Sequence, residues 1–484
     1  MLRLQNPALL KSQCLVGDGW VDAKDGSSIE VINPFNGEIL GSVPSLTQEQ
    51  VVQAVSDAEQ AQVAWAALTA AERGKLLNKW ADLIDENHED LAVLMTLEQG
   101  KPLKESRGEI TYANSFIRWF SEEGKRVYGD VIPATKSSQR ITVLKQPVGV
   151  CAAITPWNFP SAMITRKAAP ALAAGCSMIV KPATATPFSA LALGELAIQA
   201  GIPKGVLQIV TGKSSVVGEV LTADKRVHKL SFTGSTEVGR TLMAQCAPTI
   251  KKLSMELGGN APFIVFDDAD LEKAAEGLIA AKYRNAGQTC VCANRIYVQD
   301  SIKDDFLKIY LQKVAKLKVG NGLQEGVDIG PLINESALKK VSGLLQDALD
   351  KGAELLAGGD TNPASELTMN PTVISNISED MDIAREEIFG PITTIFSFID
   401  EAEVIKAAND TIYGLAAYFY SNDLARSWRV SEGLEYGMVA QNTGILSTEV
   451  APFGGVKQSG FGREGSKYGI EEYITIKYWA QELS

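Results

Sequence analysis

Short apolar runs alternate with stretches of helical composition between residues 148 and 256, and this alternation restricts the fold more than any other feature. The runs are Val150–Ile154, Ser177–Lys181, Val206–Val210, Lys229–Phe232 and Leu253–Glu256. Strands that alternate with helices at this spacing predict a mostly parallel sheet with helices on both faces. Ligands of such sheets bind at the carboxyl ends of the strands.

A second alternating stretch runs from Pro262 to about Phe453. Its predicted helices cover Leu271–Asn285, Phe306–Leu317 and Ser336–Lys351. These helices are again separated by short apolar segments, so we expect a second α/β domain.

Two further segments have strand-like composition but no obvious core of their own. One is the polar, β-branched segment 127–146, and the other is the end of the chain, 466–484. Exposed strand edges are a known route to subunit pairing, so we expect an oligomerisation element and a homo-oligomer, either dimer or tetramer. The predicted domains are then 1–126 with 147–255 and part of 456–465, followed by 256–455, with 127–146 and 466–484 as the third unit.

Charge and histidine content exclude several classes of function. The 46 basic and 58 acidic residues give a net charge of −12, which argues against a nucleic-acid partner or an anionic membrane surface. The chain has only His88 and His228, too few for a multi-histidine metal centre or a histidine-based hydrolase triad. We therefore expect no metal site, and chemistry carried by other side chains.

The apolar segments are typical of a globular protein and not of a membrane protein. The longest, Ala168–Val180, contains Pro170 and Gly175 and is too short to cross a bilayer. Residues 1–20 lack the pattern of a signal peptide, and the cysteines do not form a disulfide framework. We expect no membrane partner and a cytoplasmic location.

Three polar segments follow the ends of predicted elements. Cys290 stands among small and polar residues after a helix, where a thiolate is approachable, although a buried inert cysteine is the commoner case. Glu256 ends an apolar strand, where desolvation can raise its pKa and make it a general base, or it is a solvated residue of a turn. Asn158 lies between Pro156 and Pro160, with an amide available to an oxyanion.

Phe232–Gly239 reads as a strand that leads through Gly234 into a helix. A helix N-terminus is a suitable cradle for phosphate, but the spacing of a G-x-G-x-x-G motif is missing. Taken alone, this segment is a weak signal for a dinucleotide.

Together these segments resemble the aldehyde dehydrogenase superfamily over nearly the whole chain. The motifs that carry the resemblance are Pro156–Pro160, Lys181–Ala183, Phe232–Ser235, Glu256–Gly259, Gly287–Cys290 and Glu387–Pro391. The resemblance implies a Rossmann-like cofactor domain, a second α/β catalytic domain and a small β oligomerisation element.

The resemblance also implies the roles of individual residues. Cys290 is the nucleophile, Asn158 and the Cys290 backbone N–H form the oxyanion hole, and Glu256 activates the hydrolytic water. Lys167 and Glu464 assist the movement of protons. The residues expected to contact a nicotinamide cofactor are Trp157, Lys181, Pro182, Ala183, Thr184, Gly212, Gly234, Ser235, Leu257, Glu387 and Phe389. Among them, Lys181 and the residues after it are expected along the adenosine ribose, Gly234 and Ser235 near the pyrophosphate, and Glu387 with Phe389 at the nicotinamide ribose.

One position bears on the choice of cofactor. Relatives that prefer NAD often carry a glutamate where this chain has Thr184, and that carboxylate accepts a hydrogen bond from the ribose 2′-OH and repels a 2′-phosphate. Thr184 removes the repulsion and Lys181 adds a cation. We therefore expect NADP as the cofactor, with NAD as the alternative.

Arg166, Arg284 and Ser447 match the carboxylate anchor of the succinate-semialdehyde dehydrogenase branch. An arginine fork binds a carboxylate bidentately, so the expected substrate is a short ω-oxo acid. Succinate semialdehyde is the first choice and glutarate semialdehyde is the near competitor. A dehydrogenase that passes its thioester to coenzyme A is an alternative, which the presence of Glu256 argues against. A non-catalytic protein on the same scaffold is a second alternative.

Cys292 lies two residues after Cys290. A neighbouring thiol can form a reversible disulfide with a reactive cysteine and inactivate it under oxidation. A bridge over so short a spacing is strained, however, so a silent buried thiol is the alternative.

Overall fold

Each of the two alternating stretches forms its own sheet, and most of the motifs named above lie where the two sheets meet. The computed structural model describes residues 4–483. The α-helices are α1 (Gln48–Ala67), α2 (Ala70–Glu86), α3 (His88–Gln99), α4 (Leu103–Glu123), α5 (Ala162–Ala174), α6 (Pro187–Ala200), α7 (Ser214–Ala223), α8 (Thr236–Cys246), α9 (Leu271–Tyr283), α10 (Lys303–Val314), α11 (Glu335–Asp350), α12 (Asp382–Arg385), α13 (Glu401–Asn409), α14 (Leu424–Gly433) and α15 (Ser466–Glu471).

The strands follow the same chain order. They are β1 (Cys14–Val16), β2 (Gly19–Val21), β3 (Ser28–Ile32), β4 (Ile39–Pro44), β5 (Asp130–Ile132), β6 (Gln139–Pro147), β7 (Val150–Ile154), β8 (Ser177–Lys181), β9 (Leu207–Ile209), β10 (Val227–Thr233), β11 (Lys252–Glu256), β12 (Ala261–Val265), β13 (Ala293–Gln299), β14 (Glu354–Ala357), β15 (Thr372–Ser375), β16 (Ile392–Phe398), β17 (Ala416–Tyr420), β18 (Met438–Gln441), β19 (Gly460–Phe461) and β20 (Ile474–Glu482).

Local sequence signals explain where several helices begin and end. Before α1, the Thr47 side chain accepts a hydrogen bond from the Gln50 N–H, while the Gln50 side chain accepts one from the Thr47 N–H. This reciprocal capping satisfies backbone donors that the first helical turn leaves free. Helices α5 and α6 end at Gly175 and Gly201, whose φ angles of +100° and +91° favour glycine.

The first sheet has eight strands in the order β19-β11-β10-β7-β8-β9-β1-β2. Its central strands, β11 to β9 in this order, are parallel, as the alternating pattern predicts. Ile154 pairs with Lys181, and Thr233 pairs with Glu256. The turns that follow these strands therefore emerge together at one edge of the sheet.

The second sheet has seven strands in the order β14-β15-β16-β13-β12-β17-β18, parallel except for β14. Its core includes residues from α9, α10 and α11. These are the three helices that the sequence predicts in this stretch, with ends shifted by no more than about one turn. Only residues 257–260 separate β11 of the first sheet from β12 of the second, so Glu256 lies at the junction.

The third sheet joins the two strand-like segments that lack a core. Strand β6 pairs antiparallel with β20 along their whole length, from Pro147 with Ile474 to Gln139 with Glu482. We expected these segments to pair with another subunit, whereas within one chain they pair with each other. On β20, Ile476 is 73% exposed and Tyr478 is 62% exposed. The expected domain boundaries and the oligomeric state stay predictions.

Across residues 4–483, no helix is both long enough and apolar enough to span a membrane.

Candidate active site

A cleft of about 880 Å³ lies at the junction of the two large sheets. The turns after β7, β10 and β11 line one side of it, and the Cys290 loop and α11 line the other. The lining residues are Pro156, Trp157, Asn158, Met163, Thr233, Gly234, Ser235, Leu257, Gly258, Cys290, Ala337, Lys340, Val341, Glu387, Ile388 and Phe389. The structure thus brings the predicted nucleophile together with several predicted cofactor residues.

Cys290 is presented by a loop with an unusual backbone. Asn285 and Ala286 have φ angles of +53° and +56°, and Gly287 follows at +76°. A Cβ placed on Gly259 would collide with the Cys290 carbonyl oxygen, so only glycine permits this close approach. The Cys290 side chain is half-buried, and burial raises the pKa of its thiol to about 12. In the free enzyme this cysteine is therefore a thiol and not a thiolate.

Asn158 lies beside the Cys290 loop and is held at both its side chain and its backbone. Its Nδ2 donates to the Gln288 carbonyl at 2.9 Å. Its own carbonyl oxygen accepts from Lys101 Nζ at 2.6 Å and from Asn285 Nδ2 at 3.0 Å. An amide Nδ2 carries two hydrogens, so one remains for an oxyanion formed at Cys290.

Glu256 ends β11 with a side chain that is 3% exposed. Within the described part of the chain, neither of its carboxylate oxygens has a hydrogen-bond partner. Burial, together with the nearby negative charge of Glu464, raises the pKa of Glu256 well above its usual range. A carboxylate that is poorly solvated and unpaired is a stronger base than one in water.

Lys167 and Glu464 form a buried ion pair, and Lys167 Nζ also donates to Thr233 Oγ1 at 2.7 Å. Arg166 adds a second ion pair, with Nε 2.7 Å from Glu464 Oε2, and its Cζ lies 3.9 Å from the centre of the Phe453 ring. Burial alone would raise the pKa of Glu464, but these two cations outweigh burial and lower it. Arg166 therefore neutralises Glu464 in this structure, and its predicted contact with substrate stays a prediction.

Arg284 and Ser447 line a separate cavity of about 240 Å³. Thr289 and Val291 line it too, so this cavity lies directly behind Cys290 in the same loop. The guanidinium Cζ of Arg284 stacks 4.8 Å from the centre of the Phe159 ring. A cation placed behind the nucleophile is in a suitable position for the far end of a short acidic substrate.

The residues expected at the adenosine end of the cofactor lie after β8 and β9. Lys181 is buried, and its Nζ donates to Ser214 Oγ at 3.0 Å and to the Pro182 carbonyl at 3.3 Å. Burial lowers the pKa of Lys181 to about 8. Ala183 is partly exposed, Thr184 is exposed, and Gly212 precedes the helix that carries Ser214.

The turn after β10 has the shape of a phosphate cradle. A Cβ on Gly234 would collide with the Phe232 ring, so the backbone here is bare. Ser235 caps α8 by accepting a hydrogen bond from the Val238 N–H. A bare backbone ahead of a helix N-terminus favours the pyrophosphate of a dinucleotide, and these residues fit that group.

The opposite end of the cleft contains the residues predicted near the nicotinamide. Glu387 Oε1 accepts from the Gly259 N–H at 3.0 Å, and burial raises the pKa of Glu387 to about 7. Phe389, with φ +56°, meets Trp157 edge to face at a centroid distance of 5.6 Å. Leu257 lines the same wall. This end of the cleft is therefore rigid and largely apolar.

Cys292 does not share the cleft with Cys290. It is buried, and its thiol donates to the Lys282 carbonyl at 3.5 Å. Both cysteines are free thiols in this structure. A disulfide between them stays a prediction.

Several residues at the site were not singled out in the sequence. Ser214 contacts Lys181, and Lys101 contacts Asn158. Tyr112 is partly buried, and burial raises the pKa of its hydroxyl. These residues depend on contacts between distant segments. Thr233, which contacts Lys167, directly follows the predicted strand Lys229–Phe232 and lies within the Phe232–Ser235 motif.

Comparisons of sequence and of structure both find aldehyde dehydrogenases. The aldehyde dehydrogenase family model matches residues 20–479. The chain is 58% identical to the NADP-dependent succinate-semialdehyde dehydrogenase of Escherichia coli and 57% identical to the glutarate-semialdehyde dehydrogenase of Pseudomonas aeruginosa, with 99% of each chain covered in both cases. A crystal structure of an aldehyde dehydrogenase from Brucella melitensis biovar abortus superposes with a TM-score of 0.99, at 61% identity and full coverage of both chains. The expected fold class is confirmed.

The raised pKa of Cys290 predicts how its reactivity changes with pH. We expect the rate of alkylation of Cys290 in the free protein to rise about tenfold per pH unit between roughly pH 7 and pH 9, because the reactive thiolate is a minor species there. Mass spectrometry of the Cys290 peptide after timed exposure to iodoacetamide measures this rate. Cys290→Ser gives the background from the other thiols. A plateau of the rate below about pH 8 would contradict the raised pKa.

Proposed function

The chain belongs to the aldehyde dehydrogenase family, and we propose that it oxidises succinate semialdehyde to succinate with NADP. The observation that carries this proposal is the position of Cys290 between two spaces. The large cleft on one side contains Gly234 and Ser235, which suit the pyrophosphate of a dinucleotide. The small cavity behind the loop is lined by Arg284 and Ser447. An aldehyde carbon at the thiol would then have its acidic end near a cation.

The choice among substrates rests on the charge and the narrowness of the small cavity. Arg284 supplies the positive charge, and the cavity is much smaller than the cleft, which favours a short chain over a long one. Relatives of similar identity are named for the four-carbon and for the five-carbon semialdehyde. We favour succinate semialdehyde, and glutarate semialdehyde is the second candidate.

The proposed chemistry begins and ends on residues of this chain. Cys290 loses its thiol proton to solvent and its sulfur adds to the aldehyde carbon, and the Asn158 amide with the Cys290 backbone N–H stabilises the oxyanion. A nicotinamide cofactor, when bound in the cleft, accepts the hydride whose loss converts this adduct into a thioester. Glu256 then deprotonates the water that hydrolyses the thioester. Lys167 and Glu464 form the polar path by which we propose that the proton leaves.

NADP is proposed over NAD because no carboxylate occupies the position of Thr184. The Thr184 side chain is exposed and short, and Lys181 lies three residues earlier, at the end of β8. A 2′-phosphate beside Thr184 therefore meets no carboxylate, and Lys181 adds positive charge to the same segment. NAD remains the alternative, since a neutral residue accepts either ribose.

We also propose that the protein is a homo-oligomer that assembles through the sheet of β5, β6 and β20. Strand β20 is an open edge with large apolar side chains in water, among them Ile476, Tyr478 and Trp479. A second copy that pairs with this edge would satisfy its free backbone groups and bury these apolar side chains. A solution mass above that of a single chain checks this. The free cysteines of the described chain support a reducing compartment, so we propose the cytoplasm.

An aldehyde panel with both cofactors tests the proposed function. We expect the highest kcat/KM for succinate semialdehyde with NADP, a lower value for glutarate semialdehyde, and much lower values for uncharged aldehydes of similar length. Cofactor reduction is followed by absorbance, with and without coenzyme A. No reduction with any aldehyde would favour a non-catalytic protein, and a requirement for coenzyme A would favour an acylating enzyme.

Removal of the proposed carboxylate anchor separates binding from chemistry. We expect Arg284→Ala to raise KM for succinate semialdehyde by about 10-fold to 100-fold, because a charge-assisted bidentate contact is lost. The KM for butyraldehyde should change little. Arg284→Lys is the matched variant and should recover part of the loss, since it restores charge without the fork. Equal effects on both aldehydes would contradict the anchor.

A further inference from the structure

We infer that the buried ion pair of Lys101 and Glu109 positions Asn158 as an oxyanion donor. Lys101 is a positioning residue, because it touches neither the cleft nor Cys290 and acts through the asparagine. This inference rests on the proposed function, since an oxyanion forms only when Cys290 adds to an aldehyde. Lys101 lies 57 residues before Asn158 in the chain.

Lys101 is 1% exposed, and its ammonium group makes three contacts. It donates to Glu109 Oε2 at 2.5 Å and to the Asn158 carbonyl oxygen at 2.6 Å. It also lies 4.1 Å from the centre of the Phe159 ring. A lysine ammonium group has three hydrogens, so these contacts use its full capacity. Two of the three are to the Asn158–Phe159 dipeptide, which is therefore what Lys101 holds.

Glu109 extends this hold to the next turn of the chain. Its second oxygen, Oε1, accepts from the N–H groups of Ser161 and Ala162 at 3.0 and 3.2 Å. Ser161 and Ala162 lie at the N-terminus of α5. Glu109 therefore holds the end of the segment 158–162, while Lys101 holds its start. The charge of Glu109 also makes burial of the ammonium group tolerable. The ion pair thus fixes the segment from Asn158 to Ala162 at both ends.

Asn285 ties the same dipeptide to the nucleophile loop. Its Nδ2 donates to the carbonyls of Asn158 and Gln288, at 3.0 and 3.3 Å. The Gln288 carbonyl also accepts from Asn158 Nδ2. Gln99 completes the network by donating to Asn285 Oδ1 and accepting from the Lys101 N–H, both at 2.9 Å. Backbone and amide of Asn158 are therefore set relative to Cys290 by one connected set of bonds.

The network is relevant to catalysis because an oxyanion donor must be placed within a few tenths of an ångström. A surface lysine would hold a loop carbonyl less rigidly. A water molecule would satisfy the same carbonyl but would not fix its position. A buried ammonium group costs free energy of folding, and here it is bonded to the residue that carries the amide donor. The bond geometry predicts that Lys101 and Asn158 act as a unit.

The test is the charge-balanced variant Lys101→Met with Glu109→Gln, which avoids leaving an unpaired buried carboxylate. We expect kcat for succinate semialdehyde to fall about 10-fold to 100-fold, with the Kd for NADP unchanged. Lys251→Met is the matched control, because Lys251 is also buried and also donates to backbone carbonyls, those of Leu221, Asp224 and Val227, away from the cleft. It should retain wild-type kcat.

Combination with Asn158→Ala distinguishes positioning from a general structural role. In that background the paired substitution should lower kcat by less than about threefold, because the donor that it positions is already absent. Losses that multiply would overturn the inference, as would wild-type kcat in the paired variant alone. Lys101→Arg, which keeps a cation beside Glu109 and donors for the same carbonyl, should recover part of the activity.

A second variant keeps the inference testable when the paired variant does not fold. Asn285→Gly removes the other donor to the Asn158 carbonyl and tolerates the left-handed backbone of that position. We expect the same lack of additivity with Asn158→Ala, and fully multiplied losses would count against the inference. Wild-type turnover is measured first: its absence contradicts the proposed function, whereas normal turnover in the paired variant contradicts only the role of Lys101.

Discussion

The close approach of two backbones, at Gly259 and Cys290, is the constraint on which the site depends. Gly259 belongs to the four-residue link between the two large sheets, and Cys290 belongs to a loop of the second domain. A side chain at position 259 would displace the Cys290 carbonyl. Because this link begins immediately after Glu256, the same contact brings the predicted base and the predicted nucleophile into one neighbourhood. Glu387 accepts a hydrogen bond from the Gly259 N–H, which ties the end of the cleft predicted for the nicotinamide to the same link.

Several charged side chains are buried together near the cleft. Arg166, Lys167 and Glu464 offset each other in a region where isolated charges would be costly. Glu256 lies near this cluster but has no direct partner among the described residues, so its pKa is raised while that of Glu464 is lowered. Two carboxylates in neighbouring environments are thereby given different protonation behaviour. This difference suits one of them to act as a base and the other to hold a cation in place.

Much of the fold was predictable because the signals are local. Apolar runs indicated the parallel strands of the first sheet, and the motifs indicated which segments line the cleft. The role of Cys290 as nucleophile stays a prediction. The pairing of β6 with β20 was not predictable, since strand-like composition does not name a partner and the two strands are more than 300 residues apart. The contacts of Lys101 and Tyr112 were not predictable either, because they form only when helices α3 and α4 pack against the loops of the sheet. The position of Arg166 against Glu464 likewise depends on a contact across almost 300 residues.

Chemical trapping shows most directly whether Cys290 carries the acyl group during the reaction. The Glu256→Gln protein is mixed with succinate semialdehyde and NADP, quenched with acid and digested, and the Cys290 peptide is examined by mass spectrometry. We expect a stoichiometric burst of NADPH and a succinyl group on Cys290, because the thioester forms but its hydrolysis lacks a base. Steady turnover at the wild-type rate with no adduct, or an adduct on a different residue, would contradict it.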